Sequence, residues 1–375
     1  EPEEWLHVLS SPEINATSKL IGFDLDWTLV QPKSGKKFPQ NRNDWKWLYG
    51  IVPKRLKLLY KMGYSIVIFS NQRGIERGKQ RASDVTGKIL DMAKELGFPL
   101  IAFLAASANS YRKPNTTMWD YLISHCNGGK KRDLKNCAYI GDAAGRARNW
   151  KKGASRDFNV SDRKFAANVG ISFATPEEFF LGETKALFSW RSISPTDIIV
   201  KSSSAVWDDS NGSISSDEQE MIVFVGMPAS GKSSFAKKYL IPLGYEHINR
   251  DLLGDMRKCV KFARAFISYG KSVVIDNTNP SKEKRREFIS IARDAGCQVR
   301  CFWFQTSPEV CHHLNHFRVK VTHGDVKRIP MVAFNMFSSK FSEPTEDEFD
   351  QVCKVNFVPS LEDSERRRLF LQWSE

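Results

Sequence analysis

The 375 residues contain no apolar run near the length needed to cross a bilayer, which excludes a membrane span. Cysteine is sparse as well: there are seven, an odd number without the spacing of a disulfide framework, and that fits a reducing compartment. On this reading the tripeptides at Asn15, Asn115, Asn159 and Asn211 match the glycosylation pattern only by chance. The opening EPEEWLHVLSS lacks the basic flank and long apolar segment of a secretory signal. No repeat of solenoid period is present. Zinc is not expected either, because Cys297, Cys301, Cys311, His312 and His313 gather without ligand spacing and VRCFWF reads as a core strand.

Positive charge is what the chain has in excess. Lys and Arg number 56 against 43 Asp and Glu, a formal net charge of +13, and such an excess suits polyanionic partners, nucleic acid or nucleotides. The length suits two domains. From residue 17 to about 175, the short apolar runs LIGFDL, YSIVIFS, LIAFLAA and CAYIGD alternate with helix-length amphipathic stretches. This pattern predicts a parallel sheet covered on both faces, with ligands beyond the carboxyl ends of its strands. Residues 185–219, whose stretch KSSSAVWDDSNGSISSDEQ is rich in Ser and acid, read as a linker or exposed connection. EMIVFVG then opens a second α/β alternation that continues through KSVVID and CQVRCFWFQ. The expected division is 1–184, a linker at 185–219, and 220–375.

In the second half, GMPASGKS follows a strand and precedes a helix, the context a phosphate-binding loop requires. Gly226, Pro228, Ala229, Ser230, Gly231, Lys232, Ser233 and Ser234 are the candidate nucleotide-binding residues. Backbone amides would curl around the phosphates of ATP, Lys232 would reach the β and γ groups, and Ser233 would hold Mg²⁺. Asp251 in INRDLLG reads either as a base for a phosphoryl acceptor or as the N-cap of the helix that follows. Asp276 ends a strand where an acid ordering Mg²⁺ water belongs. The basic segment HHLNHFRVKVTHGDVKR suits a mobile lid carrying Arg318.

In the first half, GFDLDWT places Asp24 and Asp26 at a strand mouth, where like charges repel and need compensation. Mg²⁺ between Asp24 and Asp142 of the Gly-Asp after a later strand would supply it, with Asp26 counted among the ligands. Asp24 would attack phosphorus, and Asp26 would protonate the leaving oxygen and then activate water. Thr28, Ser70 and Asn71 would hydrogen-bond phosphate oxygens, and Lys113 would balance charge in the transition state.

The segments GFDLDWTLV, VIFSNQRGIERGK, RKPNTTMWD, YIGDAAGRARNW, DFNVSDRKFAANVGISFATPEEFF and GMPASGKSSFAKKYL together resemble the polynucleotide kinase 3′-phosphatases of animals and fungi. The resemblance spans nearly the whole chain. It implies an α/β chain with two parallel-sheet domains, a haloacid dehalogenase-like Rossmannoid phosphatase followed by a P-loop kinase. It further implies a monomeric enzyme of DNA repair that removes 3′-phosphate and phosphorylates 5′-hydroxyl at single-stranded, nicked or gapped DNA ends, using ATP and Mg²⁺. Nuclear action follows from it, with mitochondria as a second compartment. Asp24, Asp26 and Asp142 take the phosphatase roles, and Asp251 becomes the kinase base. Arg73, Arg77 and Arg112 are read as contacts to backbone phosphate and Phe38 as a base-stacking partner.

Three departures from the family pattern stand out. Trp27 occupies a position where the family has Gly, and His316 one where the lid has Arg. The amino-terminal phosphopeptide-binding module is not among these residues, so scaffold recruitment is not read from them. The Trp27 ring either blocks the site or stacks on a nucleobase, and stacking is the expectation because the groups around it are intact. Two other functions share these motifs: an end-binding repair factor with a degenerate phosphatase and a retained kinase, and an RNA-end healing enzyme.

Overall fold

The computed structural model describes residues 6–10, 17–127, 133–361 and 363–374; Asn15 and Ala16 of the first tripeptide, and residues 1–5 and 11 of the opening stretch, lie outside the described residues. The chain forms two compact units, one running to Ser194 and taking in the tail from Leu371, the other spanning Pro195–Phe370. Among the described residues, no helix is long and apolar enough to cross a membrane.

The first unit holds β1 (Leu6–Leu9), β2 (Leu20–Phe23), β3 (Val30–Gln31), β4 (Lys46–Trp47), β5 (Ser65–Asn71), β6 (Ile101–Ala105), β7 (Ala138–Ile140) and β8 (Ser172–Ala174). Its main sheet runs β1-β6-β5-β2-β7-β8. All pairs are parallel except the edge pair β1 with β6. The apolar runs behave as doubly buried strands should, with alternate residues entering opposite cores. Ile21, Phe23, Ile66, Ile68, Ala102 and Leu104 pack into one cluster. Leu20, Val67, Phe69, Ile101 and Phe103 pack into the other. β3 and β4 form a separate two-stranded ribbon just after the Asp24 strand.

The second unit holds β9 (Glu220–Val225), β10 (Glu246–Ile248), β11 (Val273–Ile275), β12 (Gln298–Phe304) and β13 (Gln351–Val355). They are all parallel, in the order β10-β11-β9-β12-β13. The same alternation sends Met221, Val223 and Val225 to one side of β9 and Ile222 and Phe224 to the other.

Residues 185–219, expected as a linker, are not a bare tether. Pro195–Val200 is helical, and Trp207 lies 4.7 Å from Phe302 with Val206 and Ile214 packed beside it. The surrounding Ser and acidic residues hide these apolar anchors in the sequence. The segment expected to be a mobile lid is for the most part the helix Pro308–Val321. Its return is pinned, because Asn315 exchanges hydrogen bonds with the backbone of Ile329 at 2.8 and 2.9 Å.

Candidate active sites

Strand order in the first unit reverses at β2, which has β5 on one side and β7 on the other. At such a switch point the crossovers diverge and leave a crevice outside the carboxyl ends of the strands. Asp24 follows β2, and its backbone N–H donates to Ile140 O at 2.9 Å, which brings it beside the end of β7 and Asp142. The expected pair of acids therefore meets. A third joins them: ligand atoms of Asp24, Asp142 and Asp162 all lie within 4.8 Å of one another. Asp162 sits in the first turn of the helix Ser161–Val169, and its Oδ2 accepts from Ala143 N at 3.0 Å. Gly141 makes this approach feasible, since a Cβ there would stand 2.4 Å from Asp162 Oδ2. Sequence reasoning missed Asp162; its signal was an acid opening a helix about twenty residues beyond the Gly-Asp pair.

Lys113 is the internal counter-charge. Its Nζ lies 2.8 Å from Asp24 Oδ1 and 2.7 Å from Asp162 Oδ1, and it donates to Tyr139 OH at 2.6 Å. One ammonium does not neutralise three crowded carboxylates. Burial, with the neighbouring carboxylates adding to it, pushes Asp24 up to about 6 despite Lys113. Burial and the charges of Asp162 and Asp24 push Asp142 well above the ordinary carboxylate range. An oxygen-rich, charge-deficient cradle of this kind fits a divalent cation such as Mg²⁺. The Trp27 ring is turned to the surface, 40% exposed, with its Nε1 donating to Lys37 O at 3.3 Å, so the indole does not fill the cluster.

Asp26 and Asn71 have other partners than expected. Asp26, counted among the metal ligands, is not in the carboxylate cluster; Lys88 Nζ reaches its Oδ1 and Gln72 Nε2 its Oδ2, both at 2.8 Å. Asn71, assigned to phosphate, bonds the backbone of Lys113 in both directions, at 3.1 and 2.9 Å, and so holds that residue in place. Thr28 Oγ1 accepts from Asp142 N at 3.1 Å. Ser70 Oγ is buried and accepts from Gln72 Nε2 at 2.9 Å. Phe38 is exposed with Lys37 over its ring. Arg73 and Arg77 are exposed, Arg73 pairing with Glu76, and Arg112 is half-buried.

In the second unit the loop after β9 curls through Ala229 and Gly231, both at positive φ, 60° and 97°, which turns successive amides toward one hollow. Lys232 opens the following helix and is buried, its Nζ donating to Gly226 O, Met227 O and Ser230 Oγ at 3.0, 2.7 and 3.2 Å. Desolvation lowers Lys232 to about 8. Burial opposes ionisation of Asp276, yet hydrogen bonds from His247, Ser233 and Asn249 and the charge of Lys232 hold it below the usual carboxylate value. The cap reading of Asp251 is overturned: the N-cap is Asn249, whose Oδ1 accepts from Asp251 N and Leu252 N at 2.8 and 3.3 Å. Asp251 is exposed on the same cleft as Pro228, Ser233, Ser234 and Arg318, a cavity of about 2020 Å³ that exceeds one nucleotide.

Comparison with known proteins finds a different family match within each unit. Residues 19–180 match the family described as polynucleotide kinase 3 phosphatase, and residues 254–344 match the AAA domain family. A bifunctional polynucleotide phosphatase/kinase of Schizosaccharomyces pombe is 39% identical, the alignment covering 94% of this chain and 83% of that protein. A polynucleotide 3′-phosphatase of Saccharomyces cerevisiae is 29% identical, covering 44% of this chain and 87% of that protein. The polynucleotide 3′-phosphatase ZDP of Arabidopsis thaliana is 31% identical, over 45% of this chain and 25% of that protein.

Proposed function

Because the chain belongs to the family of bifunctional polynucleotide phosphatase/kinases, we propose that it repairs DNA ends, its first unit removing 3′-phosphate through an aspartyl-phosphate and its second phosphorylating 5′-hydroxyl. The chain is a polynucleotide 3′-phosphatase and 5′-hydroxyl kinase. The observation that carries the phosphatase mechanism is the ammonium of Lys113 between Asp24 and Asp162 inside a carboxylate cluster at the switch point.

Lys113 takes Asp24 Oδ1 and leaves Oδ2 to attack phosphorus. As that bond forms, the bond to the 3′-oxygen breaks and Asp26 gives the oxygen its proton. Asp26 then takes a proton from the water that attacks the aspartyl-phosphate; phosphate departs and Asp24 is again a carboxylate. Asp24, Asp142 and Asp162 would hold Mg²⁺, which when bound supplies positive charge to the phosphate oxygens. The degenerate-site reading is not favoured, since the cluster closes without the indole.

In the second unit Asp251 takes the proton of the 5′-hydroxyl while its oxygen bonds the γ-phosphorus of ATP and the bond to ADP breaks. Lys232 and the loop amides hold the phosphates, Ser233 and Asp276 would hold Mg²⁺, and Arg318 lies on the same cleft to meet the phosphoryl group. The net charge of +13 and the exposed Phe38, Arg73 and Arg77 support a single strand entering the first site. Nuclear action follows from a DNA-repair role.

The test uses matched DNA and RNA oligonucleotides with 5′-hydroxyl and 3′-phosphate, ATP and Mg²⁺. Phosphate release should vanish in Asp24→Asn and 5′-labelling in Lys232→Met, each leaving the other reaction intact. Faster turnover of the RNA ends would overturn the DNA assignment.

A further inference from the structure

In the helix Ala82–Leu96, Val85, Ile89, Met92 and Leu96 are buried at the spacing of one helical stripe. Lys88 lies in that same stripe and is 2% exposed. An ammonium is costly to bury unless it is compensated, and its partner here is Asp26, with Nζ 2.8 Å from Oδ1. The other oxygen of Asp26 accepts from Gln72 Nε2 at 2.8 Å, and the same amide bonds Ser70 Oγ at 2.9 Å. Asp26 is therefore gripped at both oxygens, by the helix and by the residue after β5, while its side chain keeps 26% exposure. Stability is a poor reason for this arrangement. A buried ion pair adds little over apolar residues of the same volume, and Val or Leu at position 88 would complete the stripe.

We propose that Lys88 is a positioning residue for the phosphatase reaction: by holding Asp26 Oδ1 while Gln72 orients Oδ2, it turns the carboxyl so that Oδ2 hands its proton to the leaving 3′-oxygen and takes one back from the attacking water. The inference rests on the acid role proposed for Asp26. Lys88 acts through that residue and not on the substrate. An aspartate held at one oxygen can rotate about two torsions, and a displacement of about 1 Å at a proton donor costs about 100-fold in rate.

The test is single-turnover kinetics, enzyme in excess with Mg²⁺, on two esters. An oligonucleotide 3′-phosphate must expel an alkoxide and needs the proton; p-nitrophenyl phosphate expels a stable phenolate and does not. Lys88→Met should slow 3′-hydroxyl formation about 100-fold and p-nitrophenol release less than about threefold, with the end bound as tightly as before. Lys88→Arg should recover to within about tenfold on the oligonucleotide. Gln72→Met, which leaves the helix intact, should show the same split in smaller measure and stands in if Lys88→Met does not fold. Equal slowing of both esters, or oligonucleotide turnover within about threefold of wild type in both variants, overturns the proposal. Asp26→Asn run in parallel separates the two layers. If it shows no split between the esters, the acid role fails; if it does while Lys88→Met and Gln72→Met do not, only the role of Lys88 fails.

Discussion

Lys113 Nζ meets Asp24 Oδ1 at 2.8 Å, with the two side chains 1% and 14% exposed. In a buried pair, removing one partner leaves an uncompensated charge, at a cost of about 3–5 kcal/mol. Lys113→Met is therefore expected to lower the stability of the first unit by an amount of that order in metal-free buffer. Mg²⁺ should return part of the loss, because the cation offsets the same carboxylates. Urea unfolding with and without Mg²⁺ checks this. Loss of 3′-phosphatase turnover should accompany it while 5′-phosphorylation continues.

Asp24 is pushed up to about 6, chiefly by burial. The folded value lies above the unfolded value of 3.8, so between those limits the folded chain holds a proton that the unfolded chain has shed. Metal-free stability contributed by this group therefore falls as pH rises through that window. Binding of a divalent cation needs the ionised form, so affinity should move the other way. At pH 5 about one Asp24 in eleven is ionised and Asp142 is raised as well, which predicts Mg²⁺ binding at least about tenfold weaker than at pH 7. Calorimetric titration at pH 5, 6 and 7 measures it; a flat affinity would mean that Asp24 is already ionised throughout.

The strands and their terminal acids were legible because an apolar run ending in Asp or Gly-Asp carries its meaning locally. Phe23 and Ile68 fall on one face of the sheet by simple alternation. Asp24 and Asp142 then follow from strand order. Asp162, Lys88 and Gln72 were not legible for the opposite reason, since each acts across the fold. Lys88 looks like one more basic residue of an amphipathic helix until the buried stripe is seen to pass Asp26. Asn249 was hidden beside Asp251: either residue type can cap a helix, and only the hydrogen bonds show which one does. Trp207 was lost in a Ser-rich stretch because one aromatic among polar residues has no period.

Trp27 has φ 61°, a left-handed conformation that glycine adopts without strain. Trp27→Gly should therefore leave the backbone in place and report on the ring alone. If the ring stacks on a base, KM for a single-stranded 3′-phosphate should rise about tenfold, with kcat within about twofold. Steady-state kinetics on short single-stranded ends decides. An unchanged KM with a sharply higher kcat would show that the indole obstructs entry.

Asp251 can be separated from the cap it adjoins. Asn249 supplies the cap, and its Nδ2 also donates to Asp276 Oδ2 at 2.8 Å, so one amide fixes both ends of the proposed kinase chemistry. Asp251→Asn should lower kinase kcat by about 100-fold or more with ATP affinity and melting temperature unchanged. Asn249→Ala should lower kcat and also cost about 1 kcal/mol of stability, as lost caps do. Thermal melts beside 5′-labelling rates tell the two residues apart.

Lys232 sits at about 8 because burial disfavours its charge while three oxygens of its own loop accept from its ammonium. Its folded value lies below the unfolded 10.5, so between those limits the folded chain holds fewer protons and the stability of the ligand-free unit rises with pH. Triphosphate favours the charged form, so ATP binding should take up a proton near pH 8 and weaken above it. At pH 9 about one Lys232 in eleven is charged, which predicts an ATP Kd about tenfold higher than at pH 7. Calorimetry in two buffers of different ionisation enthalpy should detect the uptake in the wild type and not in Lys232→Met. A Kd that stays level from pH 7 to 9 would mean the loop oxygens alone keep the ammonium charged before the nucleotide arrives.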